Sequence, residues 1–230
     1  MSALADGDTH NATTPWGEVA SLVLPAYWET WQMLIVVAVT VLVVGSVLGV
    51  LLHNFSPDGL FPARVPAAVL GTVVNVGRSL PFIVLMASII PFTRLLVGTA
   101  IGIPAAVVPM SIAAIPFFAR MTQQALRTVD PDVIDLGIVS GSTTWQIIRK
   151  VQFAEVLPTV VGATTITLVA LIEFSTIAGT MGAGGIGYMA VNYGYNRFDP
   201  HVMIACVVIL ILTIQAVQFL GDRLAQRLSK

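Results

Sequence analysis

Long runs without a charged side chain dominate the pattern of hydrophobic and polar positions along this chain. A membrane-spanning helix needs about 20 consecutive, mostly apolar residues. Three uncharged runs predict spans over residues 33–52, 97–119 and 202–221. A fourth predicted span, residues 157–177, is interrupted only by Glu173.

A further span is predicted between the first and the second of the uncharged runs. The segment between Arg78 and Arg94 is too short by itself. We place the span at residues 72–92, with Arg78 near one interface, where a long basic side chain can reach the headgroups. An alternative frame covers residues 79–97 and contains Arg94. With five spans, the predicted fold is an all-α membrane protein.

Composition agrees with a lipid environment. Hydrophobic residues make up 56% of the chain and charged residues 10%, with a mean hydropathy of +0.88. A soluble domain carries about 25% charged residues, so this chain has too few charges to cover a water-soluble globule. The formal net charge is -1, and no cluster of Lys and Arg is available to follow nucleic-acid phosphates.

The basic residues predict the orientation. Five spans place the two termini on opposite sides, and only Arg94 and Arg197 then lie on the N-terminal side. The other nine of the 11 basic residues lie on the C-terminal side: Arg64, Arg78, Arg120, Arg127, Arg149, Lys150, Arg223, Arg227 and Lys230. The positive-inside rule makes that side cytoplasmic. Residues 1–30 are then an extracytoplasmic tail and interfacial segment, 31–222 a single membrane domain, and 223–230 a basic cytoplasmic tail.

The loop over residues 120–156 carries the clearest local signals outside the spans. Asp130 is suited to cap a helix, Pro131 to occupy its first position and Asp132 its first turn. This predicts a helix from Pro131 to Val139, stopped at Gly141, because glycine tolerates the left-handed conformation after a helix end. Thr144 is predicted to cap a second helix, so the loop is a helix-turn-helix lying against the membrane.

The same loop resembles the coupling loop of ABC-importer permeases. The family pattern is Glu-Ala-Ala, three residues, Gly, nine residues, then Ile-x-Leu-Pro. This chain has Asp135-Leu136-Gly137, Gly141 and Val151-Gln152-Phe153-Ala154 at the same spacing, with Asp for Glu, Leu and Gly for the alanines, Phe for Leu, and Ala for Pro. Five further segments are similar to methionine-importer permeases: 78–83, 90–94, 182–187, 193–195 and 221–223.

The resemblance implies a type I ABC importer permease of the bacterial plasma (inner) membrane. Two permease copies would form the pathway, two copies of a separate ATPase would dock on the loops, and an extracytoplasmic binding protein would deliver D- or L-methionine. The implied coupling residues are Asp135, Leu136, Gly137, Gly141, Val151 and Phe153. An ABC importer of another small polar solute stays an alternative, as does a secondary transporter, for which no inverted repeat is detectable.

Residues that line the pathway are less clearly marked. Glu173 is the one acid well inside a predicted span. It lies at the outer interface if the span ends earlier, and otherwise faces a hydrated path or a neighbouring helix. Small size, polarity or helix disruption adds further candidates: Ser79, Pro81, Ser88, Ser175 and Thr176.

Nucleotide and metal chemistry find no support in the sequence. A P-loop requires Gly-Lys followed by Ser or Thr, whereas Lys150 follows Arg149 and Lys230 follows Ser229. We therefore expect a transport subunit and not an enzyme, with ATP and Mg²⁺ bound by a partner and no cofactor on this chain. The three histidines, His10, His53 and His201, have no metal-ligand spacing, so no metal site is predicted.

The glycine patterns are assigned to packing. The glycine spacing of Gly182-x-Gly184-x-x-Gly187 matches the dinucleotide-binding fingerprint. That motif requires a preceding strand, whereas this segment follows a membrane span. It is interpreted as a flexible, closely packed segment. Two further pairs, Gly45 with Gly49 and Gly98 with Gly102, place small residues one helical turn apart and predict close helix packing.

Overall fold

The computed structural model describes residues 13–229, and all regular structure in that range is helical. The α-helices are α1 (Trp16–Asn54), α2 (Arg64–Ser79), α3 (Phe82–Ser88), α4 (Ile90–Val97), α5 (Ile103–Leu126), α6 (Pro131–Val139), α7 (Thr144–Gln146), α8 (Phe153–Ala178), α9 (Gly185–Met189) and α10 (Pro200–Leu228). Short π-helical segments follow three of them, at Ile147–Gln152, Gly179–Ala183 and Ala190–Tyr195.

Four helical runs of the described residues are long and apolar enough to cross a membrane. They are α1, α5, the continuous run Thr144–Ala183, and α10. Helices α2 and α3 meet the same test only as a pair, and they are bent by 100° relative to each other. The described residues therefore contain four spans, or the predicted five if the bent pair is counted as one span.

The bend lies at the proline of the predicted second span. Helix α2 ends at Ser79, and Leu80 takes an extended conformation with φ -92° and ψ 129°. A residue that precedes proline is disfavoured in the helical region, because the proline ring collides with its backbone. Pro81 therefore divides the predicted span 72–92 into two helices. Neither predicted frame is divided at this point, although Pro81 is among the pathway candidates because proline can disrupt a helix.

Helix α1 begins much earlier than the predicted residue 33. Its N-terminal part carries Val19, Val23 and Ala26, which repeat every three or four residues and are buried. They pack against residues from two later helices: Ile186, Met189, Val202 and Cys206. The predicted extracytoplasmic segment 1–30 is therefore helical from Trp16 onward. Residues 1–12 lie outside the described part of the chain.

The predicted third span, 97–119, is shifted toward the C-terminus. Gly98 and Gly102 have φ values of 78° and 88° and form the turn between α4 and α5. The prediction that this glycine pair packs two helices is therefore wrong. Helix α5 continues past residue 119 to Leu126, with Thr122 and Gln123 buried. The loop predicted from residue 120 consequently begins one to two turns later.

The described chain divides into two compact units. The first contains residues up to Val37, Phe82–Met110 and Leu171–Ala216. One of its core clusters joins the start of α1 with α9 and α10. The start of α10 is capped by Asp199, which accepts hydrogen bonds from the backbone N–H groups of His201 and Val202.

The second unit contains Ala38–Pro81, Ser111–Ala170 and the residues from Val217 onward. Leu52, Val74 and Ala119 form a core cluster from α1, α2 and α5. A Cβ placed on Gly45 would lie 2.9 Å from Phe118 Cδ1. A Cβ on Gly49 would lie 2.7 Å from the carbonyl oxygen of Ala119. These glycines let α1 approach α5 closely, which confirms the predicted packing role of this pair.

Candidate functional site

The first helix of the coupling loop forms where the sequence predicts it. Helix α6 covers Pro131–Val139, and the Asp130 carboxylate accepts a hydrogen bond of 2.9 Å from the backbone N–H of Asp132. Pro131 lacks the N–H that the first helical turn leaves unpaired, and the Asp132 charge is favourable near the positive helix N-terminus. The cap, the proline and the acid together fix the start of α6.

Gly141 ends this helix in the left-handed region. Its φ is 76°, and its N–H donates to the Ile138 carbonyl. The Ser142 N–H donates to the Gly137 carbonyl over 3.1 Å. These bonds satisfy carbonyl groups that the end of a helix leaves unpaired. The predicted helix stop at this position is confirmed.

The second loop helix has a different cap from the predicted one. Thr143, not Thr144, is the N-cap residue, and it forms a reciprocal capping box with Gln146. The Thr143 N–H donates to Gln146 Oε1 over 2.8 Å, and the Gln146 N–H donates to Thr143 Oγ1 over 3.4 Å. A threonine followed three residues later by glutamine is the signature of this cap, so the sequence contained the signal one residue earlier.

The second loop helix is also not a separate surface helix. It passes through the π-helical segment Ile147–Gln152 directly into α8, forming one continuous run over Thr144–Ala183. Val151 lies within the π-helical segment and Phe153 is the first residue of α8. The coupling loop is thus α6, a glycine turn, and the beginning of the membrane helix itself.

The two halves of the coupling loop pack against each other at Gly137. A Cβ on Gly137 would lie 3.5 Å from Ile147 Cγ1 and 3.6 Å from Val151 Cγ2. The α6 backbone at Gly137 thus lies near the side chains at the start of the membrane helix, with room for an ordinary van der Waals contact between them. This contact joins α6 to the first residues of the membrane helix.

Most of α6 outside this contact is exposed. Leu136 and Val139 are 67% and 86% exposed, although both are apolar. Asp135 is exposed and lines a cavity of about 620 Å³ together with Arg127 and His53. His53 is buried, and neither of its ring nitrogens has a hydrogen-bond partner among the described residues. The surface of the loop is therefore partly apolar and partly polar.

The predicted pathway residues fall on different helices. Glu173, Ser175 and Thr176 lie on α8, where Glu173 is exposed and Ser175 is buried. The hydroxyl groups of Ser175 and Thr176 both donate to the Ile172 carbonyl, over 2.7 and 3.1 Å. Each of these hydroxyls is engaged with its own helix, whereas the Glu173 side chain lies on the surface of α8.

The other three candidates lie around the bent pair of helices. Ser79 ends α2, Pro81 forms the break and Ser88 ends α3. The Ser79 and Ser88 hydroxyls donate to the carbonyls of Asn75 and Leu85, each over 2.8 Å. All three residues are exposed.

Comparison with known proteins places this arrangement in a family. Residues 45–230 match the family described as "Binding-protein-dependent transport system inner membrane component". A relative from Vibrio cholerae, "Probable D-methionine transport system permease protein MetI", is 44% identical over 94% of this chain and 97% of its own length. The "D-methionine transport system permease protein MetI" of Escherichia coli K12 is 40% identical over 69% of this chain and 73% of its own.

This chain belongs to that transport family. A solved structure titled for inward-facing conformations of the MetNI methionine ABC transporter matches it with a TM-score of 0.89 and 38% identity, covering 91% of this chain and 97% of the other. A structure of an amino acid ABC transporter matches with a TM-score of 0.71 at 16% identity, which shows the fold alone. The predicted fold class and family resemblance are confirmed, and the chain is a multi-pass permease component of the inner membrane.

Two sets of hydrogen bonds involve residues that the sequence does not mark as functional. Glu29 and Thr30, on α1, bind the start of α9 in the glycine-rich segment. The Glu29 carboxylate accepts from the Gly185 N–H over 2.8 Å, and Thr30 Oγ1 accepts from the Ile186 N–H over 2.9 Å. No short-range sequence signal links residues so far apart along the chain.

A second overlooked contact joins the end of α1 to the coupling loop. Asn54 and Gln152 are completely buried and exchange two side-chain hydrogen bonds, of 3.2 and 3.1 Å. Gln152 is the last residue of the π-helical segment. This amide pair therefore holds the irregular start of the membrane helix against α1. Gln152 lies within the coupling-loop signature, between the implied coupling residues Val151 and Phe153. Its polar amide side chain was the overlooked sign of a buried contact.

Metal binding has no structural basis in the described residues. Within 13–229, no group of three or more His, Cys, Asp or Glu side chains is placed to hold a metal ion. That this chain carries no cofactor stays a prediction.

Proposed function

We propose that this chain is the membrane-spanning permease subunit of an ATP-driven importer, and that its substrate is methionine. Methionine is proposed because the names of the relatives include it and the similarity extends over nearly the whole chain. The observation that carries the ATP-driven mechanism is the coupling loop. It is a short helix capped at both ends, in contact with the first residues of a membrane helix.

The ATPase is proposed to dock on α6. Exposed apolar side chains on a helix outside the membrane spans are unfavourable in water and mark a contact surface. Leu136 and Val139 provide such a surface. Movement of the ATPase would then push α6, and the contact of Gly137 with Ile147 and Val151 would pass that movement to α8. Coupling of this kind requires an element whose position both sites influence.

The ATPase is a separate chain in this proposal, because this sequence has no Gly-Lys pair for a Walker motif. Two permease copies form the pathway, two ATPase copies drive it, and an extracytoplasmic binding protein delivers the substrate. The N-terminus is outside and the C-terminus is cytoplasmic, as the distribution of basic residues favours.

Glu173 is proposed to face the hydrated pathway. A carboxylate in contact with hydrocarbon is costly, and Glu173 is exposed on α8. Ser79, Pro81, Ser88 and Thr176 are proposed as further pathway residues, whereas Ser175, which is buried, would contribute only by packing inside the chain. Pro81 divides two helices at the bend and leaves backbone groups there outside a regular helix.

Reconstitution tests this function directly. The permease, its co-purified ATPase and the binding protein are placed in proteoliposomes, and uptake of labelled D- and L-methionine is measured with ATP and with a non-hydrolysable analogue. We expect uptake that requires hydrolysis. Uptake of another small polar solute in preference to methionine would contradict the substrate. Uptake without ATP hydrolysis would contradict the class of transporter.

A further inference from the structure

A second cavity, distinct from the one beside α6, lies between the end of α1 and the start of the membrane helix that follows the loop. Its volume is about 420 Å³, and it lies wholly within the second unit. Val47 and Val50 of α1, Phe61, and Phe153 of α8 are among the side chains that line it. An apolar cleft on the surface of a membrane-spanning protein is filled by something equally apolar, because water gains no hydrogen bonds there.

The rim of this cleft carries positive charge. Arg149 lines the cleft and is exposed, and Lys150 follows it, also exposed. No acidic side chain of the described residues lines the cleft. A basic group at the edge of an apolar cleft complements a molecule with an anionic head and a hydrocarbon tail.

The position of Trp145 supports the same ligand. Trp145 lines the cleft and is 67% exposed. Tryptophan favours the headgroup region of a bilayer, where its ring is in an apolar layer and its N–H reaches polar groups. Trp145 and Arg149 are one helical turn apart at the start of the run Thr144–Ala183. The cleft therefore combines an interfacial aromatic, a cation and an apolar floor.

We propose that this cleft binds one anionic phospholipid, with an acyl chain against Val47, Val50 and Phe153 and the phosphate at Arg149. The assignment to the cytoplasmic leaflet rests on the orientation in the proposed function. Because Trp145, Ile148 and Arg149, at the start of the run Thr144–Ala183, line the cleft, the bound lipid stabilises the segment through which α6 is linked to α8. The site thus makes coupling sensitive to anionic lipid.

Lipid retention on the purified complex tests this site without any transport. The permease–ATPase complex is placed in nanodiscs of equal parts phosphatidylglycerol and phosphatidylcholine, and bound lipids are identified by native mass spectrometry. We expect preferential retention of phosphatidylglycerol. Arg149→Gln lowers that preference about fivefold, the factor that corresponds to about 1 kcal/mol for one basic side chain near an anionic surface. Val47→Trp fills the cleft and lowers retention of both lipids.

Arg223→Gln is the matched control, because it removes an exposed basic residue that does not line this cleft. It leaves the lipid preference unchanged. The elution volume and the ATPase content of each complex are compared with those of wild type, so that unfolding is excluded as the cause of a changed lipid preference. An unchanged preference in Arg149→Gln overturns the proposal. Formation of a disulfide between two copies that carry Val47→Cys in a Cys206→Ala background also overturns the proposal. A second copy of the chain, and not a lipid, would then occupy the cleft. Failure of methionine uptake with lipid retention intact would overturn the proposed function and leave this site standing.

Discussion

Gly141 illustrates how one residue type can be required by backbone conformation alone. A Cβ at this position would meet no atom within 4 Å, yet the φ of 76° is unfavourable for residues with a side chain. The left-handed conformation costs such residues roughly 1–2 kcal/mol. Substitution therefore affects the turn after α6 without disturbing any packed contact.

Gly141→Val is expected to leave membrane insertion normal and to lower both ATPase co-purification and ATP-linked uptake. Membrane abundance, ATPase content and uptake are measured on the same preparations. Gly141→Asn is the control, because asparagine tolerates the left-handed region better than other residues with a side chain, and it should retain most of the activity. Loss of insertion in Gly141→Val would make the glycine a folding requirement instead of a coupling residue.

The Asp199 carboxyl group leads to a prediction about the stability of the protein at low pH. Burial by itself raises the pKa of this carboxyl group, but hydrogen bonds from Thr14, Val202 and His201 outweigh burial and hold the pKa below its ordinary value. A carboxyl group with a lowered pKa in the folded state stabilises the protein above its unfolded-state pKa, which is about 3.9 for aspartate. That contribution is lost as the pH falls through the folded-state pKa.

Asp199→Asn isolates this contribution, because asparagine keeps the cap of α10 but carries no charge. Wild type is expected to have the higher melting temperature at pH 6, measured in detergent. The difference should shrink below about pH 4, as the Asp199 carboxylate is protonated. A difference that is the same at pH 6 and pH 3 would show that the charge of Asp199 contributes nothing to stability.

Local signals in the sequence predicted the residues that act through their immediate neighbours. The cap at Asp130 and the stop at Gly141 depend on a few adjacent residues, and both predictions were confirmed. Glu29 acts on Gly185, far along the chain. Its role could not be predicted, because the partner backbone N–H is brought to it only by the fold.

At the scale of elements, the buried amide pair holds the coupling segment in place. Asn54 exchanges two hydrogen bonds with Gln152 and accepts another, over 3.4 Å, from the Leu60 N–H. Leaving a buried amide without its partner costs about 1–3 kcal/mol, whereas replacing both partners by apolar groups is less harmful. The stability of the element thus depends on the pair as a unit.

We expect Asn54→Leu and Gln152→Met each to lower the melting temperature in detergent. Asn54→Leu should lower it further, because it also removes the acceptor for Leu60. The double variant should be destabilised by less than the sum of the two single variants. Additive effects, within about 0.5 kcal/mol, would mean that the two amides stabilise the protein independently.

The sequence predicted which membrane helices form better than it predicted the residues at which they begin and end. Apolar windows identify the segments that lipid can surround, but α1 continues to Trp16 because Val19, Val23 and Ala26 pack against other helices. The windows likewise gave no reason to divide the second span at Pro81. A proline within an apolar run is compatible with a continuous helix, as Pro25 in α1 demonstrates, so the tertiary structure determines which proline breaks its helix.

At the scale of the whole molecule, composition and five ordered segments were sufficient to predict the fold class and the family. Lipid restricts a spanning chain to helices or closed barrels, which leaves few folds for long uncharged runs. The coupling loop could also be predicted in outline. Its continuity with α8 through the π-helical segment could not, because the buried Asn54–Gln152 contact holds that segment in place.

The orientation of the whole molecule is predicted by the nine-to-two distribution of its basic residues. Cysteine labelling tests it in a Cys206→Ala background. Thr13→Cys and Ser229→Cys place one exposed thiol near each end of the described chain. A membrane-impermeant maleimide should label Thr13→Cys in intact spheroplasts, and Ser229→Cys only after lysis, because five crossings put the ends on opposite sides. Labelling of both thiols in intact cells, or of neither, would require an even number of crossings. The bent pair α2 and α3 would then be a re-entrant segment that returns to the side from which it entered.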